Sequence, residues 1–101
     1  MIAKILIKRR FKEGKTPQIL SLLNDLRSRA MHQPGYIYGE TLSKKGFPLN
    51  LIVISTWQSP EHWYEWRDSQ ERRQLESILE LYQTRPTDYE EFLLGFPLSS
   101  E

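Results

Sequence analysis

The sequence predicts an α+β fold of the ferredoxin-like kind, β-α-β-β-α-β with an antiparallel sheet, on three observations. Apolar and β-branched runs fall at residues 2–9, 36–42, 50–57 and 89–95. Stretches with an apolar stripe at 3.6-residue spacing separate the first run from the second and the third from the fourth. Only the short loop "SKKGFP" joins the second run to the third, so those two form a hairpin.

The first strand is "IAKILIKR", broken by "KEGKTP". Thr16 suits a helix N-cap and Pro17 a first turn. Ile19, Leu22, Leu23, Leu26 and Ala30 then share one helical side, and "HQPG" stops the helix. In "YIYGETL" the interior Gly39 signals a bulge or the close approach of another group. "NLIVISTW" is the strongest strand of the chain. Ser59 and Pro60 repeat the cap-and-proline start, and this second helix should break or kink near Asp68–Gln70 before resuming with Leu75, Ile78, Leu79 and Tyr82. "TRPTD" ends it, "YEEFLLG" is the last strand, and the tail "FPLSSE" is expected to be loosely held.

With 101 residues, one domain is expected over 1–101, its core about 2–95. Fourteen Lys and Arg stand against thirteen Asp and Glu, so no basic surface points to nucleic acid. The cluster Lys8, Arg9, Arg10 and Lys12 reads as a solvated strand end. Arg72 and Arg73 with Glu71, Glu76 and Glu80 read as a solvated, salt-bridged helix face. The absence of cysteine excludes disulfides, thiolate nucleophiles and Cys-based metal sites. No signal-peptide order and no apolar run of about 20 residues occur, so the expectation is a cytoplasmic protein without membrane contact. Two isolated histidines, His32 and His62, make no metal site.

The third strand is apolar on both sides: Leu51 and Val53 point one way, Ile52 and Ile54 the other. The first strand shows the same pattern, with Ile2 and Leu6 opposite Ala3, Ile5 and Ile7. Two helices cover one face of such a sheet. A second copy is the simplest cover for the other, which predicts a homodimer with sheets packed together.

All three tryptophans fall within "TWQSPEHWYEW". Burying one large aromatic removes about 200 Å² from water, worth at most about 5 kcal/mol. One such ring suffices for a small core. Three around one strand–helix turn suggest a cavity for a flat apolar or aromatic ligand. Trp57 is expected at the strand end, Trp63 in the core and Trp66 on the wall of the cavity. Tyr36 and Tyr38, two apart on one strand, should share a face and are further candidates for the lining. His62, one turn before Trp66, is the candidate base for a phenolic substrate. Tyr64 lies off the Trp63/Trp66 side and should be exposed, and His32 should be structural or exposed.

The segment "VISTWQSPEHWYEWRDSQERRQ", following "QPGYIYGETL", resembles the antibiotic biosynthesis monooxygenase (ABM) family. The family pattern is a strand ending in Trp, a Ser two residues on, then aromatic residues on the next helix: here Trp57, Ser59, Trp63 and Trp66. "PGY" at Pro34, Gly35 and Tyr36 also fits. The resemblance, over roughly residues 2–95, implies a dimeric α+β barrel with a pocket between helices and sheet. It further implies oxygenation of a small aromatic or quinol-type metabolite by molecular oxygen with no cofactor, or a non-catalytic ligand-binding module. The haem-degrading branch of the family would need an Asn near Ile7 and an axial His near Glu76. Only its Trp, at Trp66, is matched, and without a proximal ligand the iron is not held.

Overall fold

The computed structural model describes residues 1–95, so the tail 96–101 and the expectation attached to it lie outside the described residues. Four strands, β1 (Ala3–Arg10), β2 (Tyr36–Lys44), β3 (Phe47–Trp57) and β4 (Asp88–Leu93), form one sheet in the order β2-β3-β1-β4. Every neighbouring pair is antiparallel. Helix α1 (Thr16–Ala30) follows β1; α2 (Pro60–Arg67), α3 (Gln70–Leu79) and a 3₁₀ turn (Glu80–Tyr82) link β3 to β4. This is the β-α-β-β-α-β order that the sequence predicts, with the second helix in two pieces.

Local chemistry sets the breaks. Ser59 Oγ accepts from the His62 amide and starts α2; Ser69 Oγ accepts from the Arg72 amide and starts α3. The break falls between them, at Asp68 and Ser69. Thr16 is not a cap: it is already helical, and Lys15 before it makes no side-chain cap bond. The expected six-residue loop between β2 and β3 shrinks to Lys45–Gly46, because Gly46 takes φ +84° and Lys44 then pairs directly with Phe47.

Register decides which side chains meet the helices. Ile5 lies opposite Ser55 and Ile7 opposite Val53. With Ala3 and Trp57 these residues face the helices, where Ile19, Leu26, Trp63, Trp66, Leu75 and Leu79 complete the core. Among the described residues, no helix lies on the opposite face of the sheet. Leu6, Ile52 and Ile54 are half-buried there, and Tyr38, Leu42 and Phe92 are open.

One expectation fails at β2. Tyr36 pairs with Trp57, but Tyr38 pairs with Thr56, one position on, so Ile37 is an extra residue. This bulge puts Tyr36 and Tyr38 on opposite faces. Tyr36 turns inward against Trp57, and Tyr38 stands out on the uncovered face, 57% exposed. The bulge is at Ile37, not Gly39. Gly39 serves the close approach instead: a Cβ there would lie 2.4 Å from the Tyr36 hydroxyl oxygen. No described helix is long and apolar enough to cross a membrane.

Candidate active site

A cavity of about 300 Å³ opens between α1, the helix-facing side of the sheet and α2. Ile7, Leu51 and Val53 form its floor, and Leu20, Leu23 and Ala30 of α1 its far side. Trp57, Trp63 and Trp66 close one end together with Tyr36. The size is at the small end for ligand pockets, and the lining is mostly apolar with a few polar groups, among them Asn24, Ser55, Arg9 and Arg72.

The aromatic end is rigid. Tyr36 meets Trp57 edge-on at 5.3 Å between centroids, and Trp57 meets Trp63 tilted at 6.1 Å. Trp57 Nε1 donates to Ser55 Oγ at 3.1 Å, and Trp63 Nε1 donates to Glu91 Oε2 at 3.1 Å. The Trp57 and Trp63 indoles therefore have their polar edges satisfied and their orientations fixed. Burial pushes the Tyr36 hydroxyl up from its ordinary pKa, against the pull of Arg27, so it stays protonated at neutral pH.

Two guanidinium groups share one carboxylate at the side of this cavity. Arg9 grips Glu76 through both terminal nitrogens, one at 3.0 Å, and also reaches Gln83 and Thr87. Arg72 Nη2 donates to the Tyr89 hydroxyl at 2.8 Å and lies 3.7 Å from Glu76 Oε2. Tyr89 in turn donates to Glu76. The Arg72 guanidinium also lies over the Trp63 ring, 5.1 Å from its centroid. Arg9, Arg72 and Glu76 are all buried, which corrects their assignment to solvated clusters. The signal was present in the sequence. Arg9 has the strand parity of Ile5 and Ile7, and Arg72 and Glu76 share a helical side with Leu75 and Leu79.

Burial alone would push the Glu76 carboxyl up. The hydrogen bonds and charge of Arg9, then Arg72 and Tyr89, outweigh it and hold the group below its ordinary 4.5. A carboxylate with a lowered folded-state pKa contributes stability above its unfolded value and loses it as pH falls through the folded one. The urea midpoint should therefore drop on acidification below about 4.5. The deficit of Glu76→Gln relative to the parent should shrink over the same interval, as measured by denaturation at stepped pH. A constant deficit would show that Glu76 does not titrate in that window.

The model of the antibiotic biosynthesis monooxygenase family matches residues 2–76. The chain belongs to that family. No curated protein matches the sequence. Among solved structures, a conserved protein from Methanosarcina mazei Go1 is 14% identical with TM-score 0.85, over 91% of each chain. SnoaB, a cofactor-independent oxygenase from Streptomyces nogalater, is 12% identical with TM-score 0.83, over 98% of each chain. A Mycobacterium tuberculosis protein is 12% identical with TM-score 0.84, over 98% of this chain and all of that one. At such identities the likeness is one of fold.

Within this ABM domain the six candidate site residues separate. Trp57, Trp63, Trp66 and Tyr36 meet at the cavity; His62 and Tyr38 do not line it. The placement of Tyr38 follows from the bulge. His62 is half-buried, its Nδ1 2.7 Å from Ser59 Oγ, and its ring packs on Gly35. A Cβ at Gly35 would lie 2.2 Å from that ring, and φ there is +83°. His62 thus completes the cap of α2 and packs on the α1–β2 loop, away from the cavity lining. His32 sits exposed on the Ser28 carbonyl. Tyr64 is on the surface, against Glu91 and Arg67. Haem does not fit the residues present: neither histidine lines the cavity, and the carboxylate of Glu76 is occupied by Arg9.

Proposed function

We propose that this ABM domain oxidises a small aromatic or quinol-type metabolite with molecular oxygen and no tightly held cofactor. The observation that carries this reading is the indole-walled, mostly apolar cavity in a fold of this family. Likeness to SnoaB, itself a cofactor-independent oxygenase, supports it. The chemistry asks little of the chain. An ionised hydroquinone gives electrons to oxygen; one oxygen atom bonds a ring carbon, the other leaves as water with two substrate hydrogens, and the product is a hydroxyquinone. The cavity contributes orientation and exclusion of water. Oxygen uptake with a panel of hydroquinones and naphthols tests it. Trp66→Phe should lower turnover at least about ten-fold if the indole positions the ring, a rise of about 1.4 kcal/mol in the barrier. His62→Ala should leave the rate unchanged. No uptake with any member of the panel would remove the oxygenase reading.

That last result would favour a second reading, a ligand-binding module without turnover. The observation behind it is that no histidine reaches the cavity to take a proton.

The domain would act as a homodimer. The open apolar stripe of Leu6, Ile52, Ile54, Tyr38, Leu42 and Phe92 supports pairing of two sheets through this face. Sedimentation at micromolar concentration should give twice the chain mass, and Ile54→Lys should halve it. A well-folded parent of single mass would refute the pairing.

A further inference from the structure

We infer that the cavity selects its aromatic ligand in anionic form, with a phenolate, enolate or carboxylate oxygen set against Arg9 and Arg72. The inference rests on the reading of the cavity as an aromatic-ligand site. Two buried guanidinium groups line that cavity and, among the described residues, only one buried carboxylate, Glu76, answers them. The further partners of Arg72, the Arg67 carbonyl and the Tyr89 hydroxyl, are neutral: burial holds the Tyr89 pKa above the ordinary value. One positive charge is therefore in excess, in a place where water cannot readily screen it. A second observation points the same way. Arg9 Nε is buried and its N–H has no acceptor among the described residues, whereas both terminal nitrogens of the same group are satisfied. A buried donor left unmade is costly, and a ligand oxygen would relieve it. Other charges at the wall do not cancel the excess. Arg27, bonded to the Gly39 carbonyl, adds a further cation, and both it and Glu40 lie at exposed positions where solvent weakens them.

The consequence for chemistry is direct. A fixed cation beside a bound phenol lowers the phenol's pKa and so favours the ionised form that can give an electron to oxygen. The need for a strong protein base falls accordingly, which suits a cavity whose nearest histidine is engaged elsewhere. Arg9 and Arg72 then act by charge and hydrogen bonding on the ligand, with Glu76 as the positioning residue that holds both.

The test compares 2-naphthoate with 2-naphthamide, near-isosteres that differ in charge. Titrations of the native protein are read by calorimetry and by proton–nitrogen NMR correlation spectra, in which the three indole signals report the cavity and the Arg9 Nε–H signal reports the orphan donor. Naphthoate should bind about ten-fold more tightly than naphthamide and shift both sets of signals. Arg72→Met keeps the Arg9–Glu76 pair and removes the excess charge, so the two affinities should come within about two-fold. Lys45→Gln, at an exposed position in the β2–β3 turn, should change neither. Equal affinities in the native protein, with the indole signals shifting, would overturn the anion preference and leave the aromatic cavity standing. Naphthoate that shifts no indole signal overturns it as well. If neither compound moves the indole signals, the cavity reading falls with it.

Discussion

Replacing Arg9 by methionine should be among the most damaging single changes in the described chain. The substitution removes both hydrogen bonds to Glu76 and leaves a carboxylate buried beside Arg72 alone. Breaking a buried pair from one side costs about 3–5 kcal/mol. Domains of this size hold about 5–15 kcal/mol in all. The loss corresponds to a Tm lower by roughly 15–30 °C, read from a circular-dichroism melt. The double variant Arg9→Met/Glu76→Leu should recover none of it, since it leaves Arg72 buried with no carboxylate partner. A loss under about 1 kcal/mol would mean that the pair is hydrated in solution and behaves as a surface pair.

The second large effect is expected at Trp57. Its side chain is fully enclosed, at 0% exposure, and touches Tyr36 edge-on, Trp63 and the Ser55 hydroxyl. Trp57→Ala should cost about 3–5 kcal/mol, from lost transfer energy and the void left behind. The void would merge with the existing cavity, which limits how far the structure can collapse and places the cost near the upper end. Trp57→Phe should be milder, because it keeps an aromatic face for Tyr36 while losing the bond to Ser55. Urea denaturation of the two variants checks the order. Equal stabilities of the two variants would show that a six-membered ring at this position recovers nothing.

Arg9 and Trp57 also show how much of this molecule can be read from its residues. Element order, a helix break near Asp68–Gln70 and the cap at Ser59 rest on local chemistry, and the sequence displays them. The gathering of Trp57, Trp63 and Trp66 follows from strand and helix periodicity once the elements are placed. The partition of Tyr36 from Tyr38 does not, because a single extra residue at Ile37 reverses strand parity and nothing in "YIYGE" marks where it sits. Arg9 and Arg72 were misjudged for a different reason. A basic side chain flanked by others reads as solvated until its partner is known, and Glu76 is 67 residues from Arg9 in the chain. Parity placed both inside, but composition argued against it, and parity was the better guide. His62 shows a third kind of failure. Its spacing from Trp66 is right for a shared side, yet the cap at Ser59 and the bare backbone at Gly35 claim its ring first.

The walls of the cavity differ in what else they do. Trp57, Trp63 and Trp66 belong at once to the pocket and to the interior of the fold, so altering them to suit a new ligand would unsettle the whole domain. Leu20 on α1 lines the same space yet is half open to solvent, and Asn24 one turn on is exposed too. Variation along that rim is cheap. Descendants of such a chain can therefore explore new metabolites by editing a single helix edge, while the indole end stays as an inherited anvil against which each new shape is tried.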